Sequence, residues 1–307
     1  MTNLNTESMS GAIVRELTCD PSSPRVVRLR DMLSIWKEDA ALRHEAHSNK
    51  RLLGPITGFE KLDKSIGGSL SPGLHFLTGD AGTGKTALAL QIAAECGFPA
   101  LFITCEMQPL ELARRVVARI TRTYLSRIKT GELSSEESAA LFAKTVDAVP
   151  NLVFGDATRG YADPDFIWRS AQLTKDESDH ALIVVDSIHS WVDRADTAAP
   201  EYERLNFGIA TLLRMATGLN CPILCVSERN RANREEGGLS SGAGSRKIEY
   251  AAESQIDLNR KPEVAASWQD DVRMTLCLVK NRNGAAGIHV DLLFNGARQE
   301  FRVLENQ

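Results

Sequence analysis

Apolar and polar positions along the chain follow two rhythms. Short continuous apolar runs (LHFLT, ALFITC, NLVF, ALIVVD and PILCVS) are separated by longer stretches in which apolar residues recur every three or four positions. Apolar runs of that length bounded by turn residues predict strands at 74–78, 100–105, 151–154, 181–186 and 222–227. The intervening spacing predicts helices near 85–96, 109–124, 135–147, 163–175 and 201–218. Continuous apolar strands alternating with helices imply a parallel sheet covered on both faces. The last third differs: 254–259, 272–279, 288–294 and 299–304 read as strands with short connections and no helix between them. They are expected to extend the sheet antiparallel at one edge. The fold class expected is therefore α/β, three layers around a mostly parallel sheet with antiparallel strands added at its C-terminal edge.

Ahead of this pattern, residues 1–22 are polar and patternless and read as an arm. Ser23-Pro24 has the form of a helix cap followed by proline at the first helical position, and Val26, Leu29, Leu33, Trp36 and Ala40 follow at helical spacing. An amphipathic helix is expected from 24 to about 47, its apolar face packing on its own domain or on a neighbouring subunit. The division expected is 1–50 for arm and helix and 51–307 for one α/β domain. Composition changes little: 307 residues, 43% hydrophobic and 25% charged, are ordinary for a globular protein. No apolar run approaches the roughly 18 residues of a membrane span, and MTNLNTESMSG lacks the regions of a signal peptide, so a cytoplasmic protein without membrane contact is expected. The six cysteines form no C-x-x-C pair and read as reduced thiols, most of them in apolar runs. A net charge of −4 leaves nucleic-acid binding to local basic patches.

The chemistry begins at GDAGTGKT, which matches G-x-x-x-x-G-K-S/T as Gly79, Asp80, Ala81, Gly82, Thr83, Gly84, Lys85 and Thr86. It lies directly after the first predicted strand and directly before a helix, as a phosphate loop requires. Glycines let successive N–H groups turn toward a phosphate, and the following helix start adds unpaired donors and partial positive charge. Lys85 is expected at the β- and γ-phosphates of ATP, and the Thr86 hydroxyl on Mg2+. Asp186 ends the run ALIVVD, so its carboxylate emerges at the C-terminal edge of the sheet, where ligands of open α/β folds bind; it is the expected magnesium-side acid. Two further acids end strands, Glu106 and Glu228, and either could face the γ-phosphate as the base that takes a proton from water.

At this point the sequence resembles the RecA-like ATPases, and within them the C-terminal motor domain of DnaB-type replicative helicases, from about Gly54 to Leu304. The resemblance is carried by several blocks in one order: TGFEKLDKSIGGSLSPG, ITCEM followed by QPLELARRVVARI, IKTGELSSEE, LIVVDS and VKNRNG. It implies a RecA-like fold and ATP hydrolysis with Mg2+. Residue by residue, Glu106 falls on the family's catalytic glutamate. Glu228 falls where these helicases carry a glutamine that senses the γ-phosphate. That is a departure, since an ionised glutamate accepts hydrogen bonds but cannot donate one. Lys280 and Arg282 match the pair that these motors insert into the adjacent subunit's site, where an arginine stabilises transition-state charge.

The resemblance further implies a ring-shaped homo-oligomer, a hexamer, and a central-channel loop at 229–247 that grips single-stranded DNA. That segment holds Arg229, Arg231, Arg234, Arg246 and Lys247 against Glu235 and Glu236, and no aromatic residue. It is suited to phosphate contacts rather than base stacking. With about fifty residues ahead of the motor, the family's N-terminal partner-binding domain is expected to be absent. VVDSI, KNRNG and GSRKIEYAAE equally resemble the RadA and KaiC branches, without the RadA zinc motif. Two functions follow: an ATP-driven ring motor on single-stranded DNA, or a KaiC-like ATPase acting on a protein partner reached through the N-terminal arm.

Overall fold

The computed structural model describes residues 26–195, 198–229, 247–248, 250–261 and 271–304. Contacts divide the chain into two units, Met1–Arg51 and Leu52–Gln307. In the first unit a 3-10 turn at Leu29–Met32 leads into helix α1, Leu33–Ser48. The regular helix thus starts later than its apolar spacing suggests, and neither Arg28 nor Met32 supplies a side-chain cap bond to begin it earlier. Ser23, Pro24 and the arm at 1–22 lie outside the described residues. Leu29, Leu33, Ile35 and Trp36 are exposed.

The second unit starts with a short helix, α2 (Glu60–Ser65), and then builds the parallel half of the sheet: β1 (Gly73–Gly79), α3 (Lys85–Glu95), β2 (Ala100–Thr104), α4 (Pro109–Thr121), α5 (Leu125–Thr130) and α6 (Ser135–Ala148). It continues with β3 (Leu152–Asp156), α7 (Pro164–Lys175), β4 (Leu182–Asp186), α8 (Ile188–Val192), α9 (Glu201–Leu219) and β5 (Pro222–Glu228). Local chemistry sets the helix starts. Ser134 and Glu137 form a reciprocal capping box on α6, and Asp163 caps α7 with Pro164 at its first turn. Every residue of β1, β2 and β4 is buried. Alternate side chains enter different cores, because successive residues of a strand point to opposite faces. Phe102 and Val184 pack with α3 and α4, while Ile103 and Val185 pack with α7, α8 and α9.

The antiparallel half consists of β6 (Ala252–Arg260), β7 (Asp271–Asn281), β8 (Ile288–Asn295) and β9 (Glu300–Val303). Among the described residues the sheet has nine strands in the order β3-β2-β4-β5-β1-β6-β7-β8-β9. The expected antiparallel extension is present, with one correction. β6 runs parallel to β1, and the direction reverses only between β6 and β7. The connection between β5 and β6 is long enough for the crossover that a parallel neighbour requires, whereas β7 and β8 are joined by a short turn. In β6 buried and half-buried positions alternate, and Ile256, Leu258, Met274, Leu276, Val290 and Leu292 all face the α3 side.

Candidate functional site

The candidate nucleotide site forms where four adjacent parallel strands end. β1 carries the phosphate loop, β5 ends in Glu228, β4 ends in Asp186, and β2 runs out two residues before Glu106. The loop geometry demands its glycines. A Cβ on Gly79 would lie 2.7 Å from the Leu258 carbonyl oxygen. Gly84 has φ +92°, a left-handed conformation that side chains resist, and a Cβ there would meet Phe301 and Phe294 at 3.2 and 3.3 Å. Lys85 is 9% exposed, and its Nζ donates to the carbonyls of Gly79 (3.0 Å) and Asp80 (2.9 Å), which holds the cation at the loop itself. α3 starts at Lys85, so the orphan N–H groups of its first turn open onto the same place.

Asp186 is 3% exposed. Burial pushes its carboxyl up to about 6, against a hydrogen bond from the Thr86 hydroxyl; Glu106 raises it further, while Lys85 and Arg115 lower it. The two expected magnesium ligands are therefore in direct contact. Their chemistry fits a hard divalent cation, which takes oxygen donors, keeps waters and shares substrate phosphates. A cation there would favour the anion of the buried Asp186 further. Around Thr86 and Asp186, substrate phosphate and water would supply the remaining oxygen ligands of such a cation. The helix after Asp186 is capped by Ser187, not by Asp186 itself.

Glu106 is exposed and lies before α4, whose cap is Gln108 and whose first-turn acid is Glu111, so it is not spent on the helix dipole. Its Oε1 accepts hydrogen bonds from Ser187 Oγ (2.8 Å) and Ser190 Oγ (2.7 Å). Sequence reasoning gave neither serine a role. Their signal was their place just after the strand-ending aspartate. Arg115 was also missed; it acts electrostatically on Asp186 and donates to Gln299 Oε1 at 2.6 Å. Glu228 is exposed at the end of β5, in register with Gly79.

Arg229 is half-buried: its Nη2 donates to Asp257 Oδ2 (2.9 Å) and Asn259 Oδ1 (2.8 Å), and its N–H to the Gly79 carbonyl (3.2 Å). Asp257 also accepts the Thr78 hydroxyl, so Arg229 belongs to a network under the phosphate loop. Lys247 is half-buried, and Arg231, Arg234 and Arg246 lie outside the described residues. Lys280, near the end of β7, and Arg282, just after it, lie back along the strands from the phosphate loop. Lys280 pairs with Gln255 and Asn281 with Ser254, which lies beside His75 near the start of β1. His75 lies four residues before Gly79, so at about 3.3 Å per residue this level is roughly 13 Å along the strand direction from the phosphate loop of the same chain. The Arg282 guanidinium donates to Glu253 Oε1 (2.7 Å) and the Tyr250 carbonyl (2.8 Å).

Comparison with known proteins matches this geometry to a family. The model described as DnaB-like helicase C terminal domain matches residues 54–303. The chain is 25% identical over 311 aligned residues to the replicative DNA helicase DnaB of Haemophilus influenzae, covering 96% of this chain and 64% of that protein. It spans about three-fifths of the length of the curated relatives it matches. Among solved structures, a DnaB-like replicative helicase, described together with its interactions with primase, superposes with a TM-score of 0.73 at 18% identity, covering 92% of this chain and 68% of that one. A KaiC-like protein of Pyrococcus horikoshii superposes at 0.53 and 21% identity, covering 83% and 99%.

Proposed function

The chain belongs to the DnaB-like helicase C terminal domain family, and from that premise we propose that it hydrolyses ATP with Mg2+ as a ring-forming motor on single-stranded DNA. One observation carries the reading. The phosphate loop, Thr86, Asp186 and Glu106 converge at one edge of the sheet, while Lys280 and Arg282 lie back along the strands, away from that edge. A complete site then needs a second copy of the chain, and identical copies joined head to tail form a ring when the rotation between them closes.

In this mechanism the loop N–H groups and Lys85 bind the β- and γ-phosphates, while Thr86 and Asp186 hold magnesium. Magnesium, when bound, neutralises charge on the phosphate oxygens. Glu106 accepts a proton from the attacking water. Arg282 of a neighbouring copy, released from Glu253, meets the charge that develops on the γ-phosphoryl group. The exposed apolar side chains of α1 are available to such a neighbour.

A second reading, a KaiC-like ATPase that remodels a protein partner, is favoured by Arg229. One of the five basic residues assigned to the DNA loop is engaged by Asp257 and Asn259. ATP hydrolysis measured with and without single-stranded DNA separates the two. The motor reading expects stimulation and an affinity that falls steeply with salt. Neutralising Arg231, Arg234 and Arg246 together should flatten the salt slope and remove stimulation, leaving basal hydrolysis intact. Absence of DNA binding at low salt in an active ATPase would favour the protein-partner reading, with the N-terminal arm and α1 as the first surfaces to test.

A further inference from the structure

A general base must stay within hydrogen-bond reach of the water it deprotonates. Glu106 has no obvious means of doing so alone. It is exposed, it follows the end of β2 in a bend, and its side chain has three rotatable bonds that cost entropy to fix. What holds it comes from β4 and α8. The Cys105 N–H donates to the Asp186 carbonyl at 2.8 Å, tying the backbone before Glu106 to the strand that carries the magnesium-side acid. Ser187 and Ser190 then reach Glu106 Oε1 at 2.8 and 2.7 Å.

Each serine hydroxyl has one proton to give. The Ser187 oxygen also accepts from the Ser190 N–H at 3.3 Å, so it caps α8 and binds Glu106 at once. The Ser190 hydroxyl has no part in that cap, although it lies 3.0 Å from the Ser187 hydroxyl. Both bonds to the carboxylate end on the same oxygen, and Oε2 keeps its lone pairs for water. Because Ser187 follows Asp186 directly, the same few residues fix the base relative to the metal-side acid.

We propose that Ser187 and Ser190 are positioning residues: they hold Glu106 by one carboxylate oxygen and aim the other at the water that attacks the γ-phosphate. This rests on the reading of Glu106 as the base. The test is steady-state ATP hydrolysis by the full chain with magnesium, comparing Ser190→Ala, Ser190→Thr, Ser187→Ala/Ser190→Ala and Glu106→Gln, with each serine change also combined with Glu106→Gln. Ser190→Ala is expected to lower kcat about 10-fold and the double serine change about 100-fold, the range for one and two hydrogen bonds to a charged group. KM for ATP should stay within about twofold, because phosphate binding is untouched. Ser190→Thr should retain most of the rate. In the Glu106→Gln background the serine changes should add nothing, since the group they position is gone.

If Glu106→Gln turns over normally, Glu106 is not the base and the proposal falls with it. If Glu106→Gln is crippled while the serine variants keep their kcat, the base reading stands and the positioning proposal is overturned. Serine losses that appear in KM, or that persist undiminished in the Glu106→Gln background, would also overturn it by marking a structural role. Ser190→Ala leaves the α8 cap in place, so it decides the matter even if Ser187→Ala folds poorly.

Discussion

The two halves of the sheet solve different problems. In the parallel half, from β3 to β1, helices cover both faces, and β1, β2 and β4 are buried at every position. All the strand ends face one edge, so Gly79, Asp186, Glu106 and Glu228 collect there without any long-range design in their side chains. In the antiparallel half, apart from Ala252 at the start of β6, only one face joins a core among the described residues. The other presents Asp257, Asn259, Thr275, Cys277, His289 and Asp291, while Lys280 near the end of β7 and Arg282 in the β7–β8 turn lie away from the phosphate loop. On the proposed reading, one half builds the nucleotide pocket and the other offers Arg282 to a neighbouring copy. The comparison breaks if either half works alone.

The largest effect should come from the pocket itself. Lys85→Ala removes the cation held at the loop and should abolish measurable ATP hydrolysis with the fold intact by circular dichroism. Next, Arg282→Ala should lower turnover by an amount approaching the roughly 10³- to 10⁵-fold supplied by an arginine that stabilises phosphoryl-transfer charge. Normal turnover in that variant would reduce the antiparallel half to scaffold. Glu106→Gln should keep nucleotide binding and lose about 10²- to 10⁴-fold in rate. If Glu228→Gln proved the crippling change instead, the base would lie on β5.

The seam between the halves offers a smaller, thermodynamic test. His75 on β1 is buried, with Nε2 2.8 Å from the Ser71 carbonyl and Nδ1 2.8 Å from the Ser254 hydroxyl on β6. The ring is neutral: Nε2–H donates to Ser71, and Nδ1 accepts from Ser254. Burial pushes its pKa down to about 4 from an ordinary 6.5. Between those values the unfolded chain binds a proton that the folded chain refuses, so stability should fall as pH drops through this window. The loss is about 3 kcal/mol by pH 4. Urea unfolding of wild type and His75→Gln from pH 7 to 4 should give curves that converge toward acid. Parallel curves would mean that the seam does not exclude charge.

Much of this was legible in the sequence because its signals are short-range. Apolar runs located the nine strands within two residues at each end, and an eight-residue spacing located the phosphate loop. Direction was not legible for β6: periodicity reports which residues are buried, not which way a strand runs. Nor was the pairing of Arg229 with Asp257, which depends on neighbours 28 residues apart and so on the sheet order. Composition in a basic loop reads Arg229 as a nucleic-acid contact, while the structure engages it beneath Gly79. The serines at 187 and 190 escaped for the same reason. Their partner, Glu106, is brought to them only by the adjacency of β2 and β4.

Whether the two halves complete each other across copies can be read from mixed assemblies of Lys85→Ala and Arg282→Ala protein. Each variant alone should be nearly inactive. One interface in the mixture combines an intact phosphate loop from one copy with an intact Arg282 from the next, so ATP hydrolysis should rise well above the sum of the separate rates as the two are mixed. A mixture that demonstrably co-assembles yet shows no gain, or an Arg282→Ala protein fully active as a monomer, would place the whole reaction within a single chain.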